Sequence, residues 1–418
     1  MKILVLTGYA YLDGKSAFMR STSGFGYTVG KIISELAKIE GNSVSVLTQS
    51  AFTREDTAEH VHLVHKTWAD IFSGLSQRYL RWWLWDTRSL SLLAPMRWRA
   101  LAYYLTGRYA ERVIKQIQPD IVNVHGIGLA TQPFLYACRQ AGVPYVLTLH
   151  GLNTFHDECL PESWVYQLER GALQQVLRGD FPLTVVASGI KSRVLAVMGG
   201  GEGKNIYPIP NGTDISSATE AKSIQAIRVR WNIQPEDHVL ICCGALTANK
   251  NQSQLLRACA LLPEELRAHL KVLIVGGGPM MEALTVLRQE LGLEQTVCLT
   301  GQVPPGEVAN YYAISDVNAL TSISEGFGNA MIEGFMFGLP SVCFSDLDAV
   351  PDIYDPRAVV LAETRTDEAL AAALETALTT AWDSAHIRQH SLRFTASAMG
   401  RQYHQVFSQV IQDYQSGQ

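Results

Sequence analysis

The sequence predicts an α/β protein made of two doubly wound, Rossmann-like domains. Three observations carry this. Short β-branched runs ending in Gly, Asn or Ser recur along the whole chain. Helix-spaced apolar patterns lie between them. The alternation occurs twice, on either side of the breaker-rich segment YPIPNGTD (207–214). Strands buried on both faces need near-continuous apolar runs, and strand–helix alternation marks a parallel sheet.

In the first half the strand-like runs are KILVLTG, SVSVLTQ, IVNVHGI, YVLTLHG, LTVVAS and IYPIPNG. KIISELAKI (31–39) has helical spacing and stops at Gly41-Asn42. Pro208, Pro210 and Gly212 then break regular structure, and the polar stretch SSATEAKS follows. The second half supplies VLICCGAL, KVLIVGGG, VCLTG, VNALTS, SVCFS and AVVLA, with the helical pattern SQLLRACALL (253–262) stopping at Pro263. Open α/β sheets bind ligands at the carboxyl ends of their strands, so the expected site is the cleft between the two domains.

Composition narrows the function. The 418 residues are 47% hydrophobic and 17% charged, a core-forming balance. Thirty-four basic against 39 acidic residues give a formal charge of -5, with no global pull toward nucleic acid. Seven scattered cysteines (Cys138, Cys159, Cys242, Cys243, Cys259, Cys298 and Cys343) are odd in number and contain no Cys-x-x-Cys, which argues against a disulfide framework or zinc knuckle and for a reducing compartment. The opening MKILVLTG is too short for a signal-peptide core, and no apolar run spans a bilayer. The expected location is cytoplasmic, or peripheral on the inner face of the membrane.

The most informative stretch is SEGFGNAMIEGF (324–335), which follows the strand VNALTS. It reads as a strand-to-helix turn whose glycines admit a ligand to the backbone and whose helix-starting amides favour anions. Glu325 and Glu333 would repel a phosphate but accept hydrogen bonds from sugar hydroxyls. The pattern suits a ligand holding both phosphate and sugar. Two solvated glutamates are its plain alternative.

SEGFGNAMIEGFMFGLPSV resembles the signature of family-four glycosyltransferases, which have the GT-B fold: two Rossmann-like domains facing each other across a cleft, with a C-terminal helix crossing back to the first. Other segments agree in order: QPDIVNVHGIG, LTLHG, IPNGTD, GALTANKN (244–251), KVLIVGGGP and RFTASAMGRQYHQVF (393–407). The resemblance implies domains at 1–207 (acceptor side), 208–393 (nucleotide sugar) and 394–418 (returning helix). It implies a catalytic group of Glu325 facing the donor sugar, Lys250 neutralising the diphosphate and His150 near the sugar. Glu333 would hold the ribose. Gly326, Phe327, Gly328 and Asn329 would contact the sugar and diphosphate, Gln302 and Val303 the base, and Gly24, Phe25 and Gly26 the phosphate. Two positions depart from the family pattern. Ala245 stands where the family has a phosphate-loop arginine, which leaves Lys250 as that loop's cation with Lys191 and Arg193 as candidate substitutes, and Gly334 stands where it has alanine.

Other motifs carry less. GGGPMM (276–281) and GFGYTVG lack the context of a dinucleotide fingerprint. His60, His62 and His65 in EHVHLVHK have a spacing that fits an edge strand and a loop equally well, and no Cys or carboxylate set completes a metal site. Residues 78–108 concentrate Trp82, Trp83, Trp85 and Trp98 with six arginines and one acid, Asp86. They suit either an anionic membrane surface or a packed helical insertion.

The expected activity is therefore retaining, metal-independent and cofactor-free transfer from a UDP- or GDP-sugar to a glycan or lipid-linked acceptor, in bacterial surface polysaccharide, lipopolysaccharide or glycolipid synthesis. The alternatives are a sugar-nucleotide epimerase of the same fold and a non-catalytic partner protein.

Overall fold

The computed structural model describes residues 1–12, 24–49, 58–72, 76–90, 92–152, 163–214 and 219–417. Cys159, Ser91, Ile215 and residues 216–218 of the polar SSATEAKS stretch lie outside them. The chain forms two units, Met1–Gly212 with Ala396–Gln418, and Thr213–Thr395.

The first unit holds seven strands: β1 (Lys2–Thr7), β2 (Ser43–Thr48), β3 (Val61–Leu63), β4 (Ile121–His125), β5 (Tyr145–Leu149), β6 (Leu183–Val185) and β7 (Ile206–Pro208). Their order is β3-β2-β1-β4-β5-β6-β7 and every pairing is parallel. All residues of β4, β5 and β6 are buried, as their unbroken apolar character requires. EHVHLVHK supplies the edge strand β3, where His62 Nδ1 lies 3.4 Å from Ser45 Oγ. Among the described residues no group of three His, Cys, Asp or Glu is placed to hold a metal. The last helix, Ala396–Ser416, returns to this unit. Its Met399, Tyr403, Phe407 and Val410 share one core with Val29, Ile32, Ile33 and Leu36 of the helix Gly24–Lys38.

The second unit holds β8 (His238–Cys243), β9 (Leu270–Val275), β10 (Val297–Gly301), β11 (Val317–Leu320), β12 (Ser341–Phe344) and β13 (Val359–Ala362), ordered β10-β9-β8-β11-β12-β13 and again all parallel. Strand order reverses between β1 and β4 in one sheet and between β8 and β11 in the other. Loops leaving neighbouring strands at such a point diverge to opposite faces and open a crevice at the strands' carboxyl ends. The six described cysteines are free.

The aromatic–basic segment forms two helices, Gln77–Ser89 and Ala94–Ile117. Its lone acid is a buried anchor: Asp86 accepts hydrogen bonds from Tyr104 and Tyr136, and burial raises its carboxyl above the usual range. Trp82 stacks on Tyr136 with centroids 4.3 Å apart, and Trp83 donates its indole N–H to the Arg97 carbonyl at 2.8 Å. Trp85 and Trp98 remain 74% and 67% exposed, and Leu93, Arg88 and Arg99 are exposed as well. Packed tryptophans and exposed apolar and basic side chains thus coexist in this segment. Among the described residues no helix is long and apolar enough to cross a membrane.

Candidate active site

In the second unit the loops after β8 and β11 meet because those strands pair, Val317 against Leu240 and Asn318 against Ile241. Lys250 closes the 3-10 turn Ala248–Lys250, and its ammonium forms an ion pair with Glu325 Oε1. Ser322 Oγ donates to the same oxygen at 2.6 Å. The pair is mostly sheltered, with side chains 28% and 12% exposed. Both of these hydrogen bonds use Oε1, and Oε2 can accept further hydrogen bonds.

The helix Asn329–Met336 begins at Gly328, whose φ of 81° is a left-handed value. Glu333 lies in this helix, and the buried Tyr312 hydroxyl donates to its Oε2 at 3.0 Å. Gly334 has a packing reason. A Cβ there would lie 2.9 Å from the Asn318 amide, which itself bonds the Ala330 carbonyl and Ser341 Oγ at 3.1 Å each. The methyl missing relative to the family pattern is the room that Asn318 occupies. Phe327 is buried, its ring 5.7 Å from Phe394, so its side chain anchors the turn. Gly326 and Asn329 are half-buried at the same turn.

Gln302 and Val303 follow β10. Gln302 is exposed, and Val303 packs on the unit's core. GGGPMM proves to be a packing device. A Cβ on Gly276 would lie 2.0 Å from the Gly244 carbonyl oxygen, so the loops after β8 and β9 touch backbone to backbone. Ala245 is exposed and brings no cation, and its carbonyl accepts from Gln252 at 3.1 Å.

In the first unit Gly24, Phe25 and Gly26 open the helix Gly24–Lys38. The Phe25 ring meets His150 edge-on with centroids 4.8 Å apart. His150 Nε2 lies 2.9 Å from Nδ1 of His125, the last residue of β4. The outer nitrogens, His150 Nδ1 and His125 Nε2, are buried without a hydrogen-bond partner. Burial lowers His150 to about 4, and burial with the neighbouring imidazole holds His125 well below its ordinary value. Both are therefore neutral at pH 7. Lys191 donates to the Ile206 carbonyl at 3.0 Å within this same unit, and Arg193 lies in the helix Ser188–Val197.

Sequence reasoning did not find Ser322, Tyr312, Asn318 or His125. Tyr312 and Asn318 read as ordinary helix and strand residues, and only the fold turns their polar atoms toward Glu333 and its helix. His125 stands in the quoted strand IVNVHGI, one β-pairing from His150, and could have been found there.

Two sequence families match consecutive halves of the chain. Glycosyltransferase Family 4 matches residues 22–217, and Glycosyl transferases group 1 matches residues 223–392. TuaC of Bacillus subtilis (strain 168), named for teichuronic acid biosynthesis, is 26% identical over 278 residues, 64% of each chain. The alpha-monoglucosyldiacylglycerol synthase of Streptococcus pneumoniae (strain ATCC BAA-255 / R6) is 24% identical over 282 residues, 63% of this chain and 60% of that one. The chain thus spans less than two thirds of the length of these curated relatives. Among solved structures, Anabaena Alr3699/HepE in complex with UDP and glucose superposes with a TM-score of 0.65 at 18% identity, covering 98% of this chain and 100% of that one. At that identity the likeness is one of fold.

Proposed function

Because this chain belongs to the family 4, group 1 glycosyltransferases, we propose that it moves a sugar from a UDP- or GDP-sugar to a glycan or lipid-linked acceptor in bacterial surface polysaccharide or glycolipid synthesis, with retention of configuration. The observation that carries this reading is the Lys250–Glu325 ion pair at the β8/β11 switch point, with Glu333 on the adjoining helix.

In this reading Glu333, steadied by Tyr312, accepts from the ribose hydroxyls. Glu325 accepts from a sugar hydroxyl through Oε2. Lys250 faces the diphosphate, together with the amides that start the helix Asn329–Met336. The bond between the anomeric carbon and the phosphate oxygen breaks while the acceptor hydroxyl oxygen bonds the same face of that carbon. The acceptor proton passes to the departing phosphate oxygen. The growing negative charge on the diphosphate is met by Lys250, with no metal called for. On the first unit, this reading assigns Gly24–Gly26 to the phosphate and neutral His150 to the sugar. Trp85, Trp98 and Leu93, flanked by Arg88 and Arg99, suit an anionic leaflet carrying a lipid-linked acceptor.

A thermal-shift screen of nucleotide sugars identifies the donor, since a ligand that binds the folded state stabilises it by mass action. Proton NMR of the first-formed product then reports the anomer. Inversion would overturn the retaining step. An isomerised donor in the absence of any acceptor would favour the epimerase reading.

A further inference from the structure

The segment that carries Glu325 is fixed backbone atom by backbone atom. The Ile323 N–H donates to the Asn249 carbonyl at 2.7 Å. The Asn249 side chain then pairs with Ser324 as a second peptide would, Nδ2 donating to the Ser324 carbonyl at 2.8 Å and Oδ1 accepting from the Ser324 N–H at 3.2 Å. From the other side the Arg365 guanidinium donates to the carbonyls of Ser322 and Ile323 at 3.1 and 2.8 Å. Arg365 is itself locked by a bidentate pair with Asp346, both contacts at 2.8 Å, and lies over the Phe344 ring at 4.6 Å. The Arg365 carbonyl accepts from Gln254 at 2.9 Å, and Gln254 accepts from Asn251 at 2.7 Å. This closes a hydrogen-bonded ring through the loop that holds Lys250.

We propose that Asn249 and Arg365 are positioning residues that clamp residues 322–324 from two sides and thereby hold Glu325 in register with Lys250. Neither need touch the ligand for this. The physical case is that loop-borne groups reach catalytic geometry only when their backbone is locked, and a displacement of about 1 Å can cost about a hundredfold in rate. A bidentate arginine pair and an amide matching a peptide edge are stiff restraints with defined direction. The catalytic part of this proposal rests on the glycosyltransferase reading; the clamp itself does not.

The test uses the full chain with Asn249→Asp and Arg365→Lys. Asn249→Asp keeps size but replaces the donor facing the Ser324 carbonyl with an acceptor. Arg365→Lys keeps charge but loses the fork. Hydrogen exchange of the amides in 322–325 of the ligand-free protein should quicken in both variants, and unchanged exchange overturns the clamp whatever the reaction. With the donor found by screening, kcat should fall at least tenfold in each variant, while the Kd for the free nucleoside diphosphate stays within threefold because Glu333 lies outside the clamped segment. Wild-type kcat with quickened exchange overturns the positioning role. Loss of nucleotide binding equal to the loss of kcat overturns it too, in favour of a general structural role. Absence of transfer by the wild type defeats the glycosyltransferase reading, and the exchange result still decides the clamp.

Discussion

Lys250 and Glu325 stand 75 residues apart and share one ion pair, because the strands before them, β8 and β11, are neighbours in the sheet. Each partly neutralises the other, and both keep a route to solvent. A bound diphosphate would compete for the lysine while a sugar hydroxyl would take up the glutamate.

If Lys250 carries the diphosphate load that Ala245 cannot share, Lys250→Ala should lower turnover at least about a hundredfold, the scale of losing one oxyanion donor. Lys250→Arg should recover part of it. Steady-state kinetics with the identified donor decide the matter, and wild-type-like turnover in Lys250→Ala would place the diphosphate elsewhere.

Glu333→Ala should weaken nucleotide binding at least tenfold, since a hydrogen bond to a charged group is worth about 1.5–3 kcal/mol. Tyr312→Phe should produce a smaller loss in the same titration, because it removes the hydroxyl that donates to Glu333 Oε2 at 3.0 Å. Glu325→Ala should instead abolish transfer with nucleotide affinity nearly intact. Isothermal calorimetry that finds the two glutamates interchangeable would refute their division of labour.

The outward tryptophans should matter at membranes. Sedimentation with anionic vesicles should show binding that weakens as salt rises, with surface attraction screened beyond ~8 Å at physiological ionic strength. Trp85→Ala with Trp98→Ala should reduce it, as should Arg88→Ala with Arg99→Ala. Trp82→Ala should act first on stability, because Trp82 stacks on Tyr136. Failure of the wild type to bind at low salt would leave packing as the segment's whole role.

The histidine pair predicts a pH dependence. Unfolded imidazoles take up protons near pH 6.5, whereas His150 does so only near 4 and His125 well below its ordinary value. Between those values the unfolded chain binds more protons, so stability present above pH 6.5 is lost as pH falls toward 4. His150 alone accounts for about 3 kcal/mol over the full interval. Denaturant midpoints at pH 7 and pH 5 should therefore differ less in His150→Asn than in the wild type, and an equal difference would show that other groups drive the loss.

All twelve strand-like runs read from the sequence contain strands, and the two named helical patterns fall in helices except for their last one or two residues. The physical reason is local. A strand buried on both faces must be apolar throughout, and Gly, Asn and Pro must end it, so a short window contains the answer. EHVHLVHK was ambiguous for the opposite reason: an edge strand is half-wetted, and its pattern is that of a loop. The turn SEGFG and the position of Glu333 on a helix could likewise be read along the chain, because each depends on a few consecutive residues.

Only the tertiary structure decided which side chains meet. Strand order brings the loops after β8 and β11 together, and nothing near residue 250 announces residue 325. The same holds for Tyr312 beside Glu333, for Asn318 in the space left at Gly334, and for Arg365 against the carbonyls of Ser322 and Ile323. It also divided the tryptophans, stacking Trp82 inward and leaving Trp85 and Trp98 in solvent. Composition determines what must be buried, but which neighbour accepts a given hydrogen bond follows from sheet order and packing, which a linear pattern does not contain.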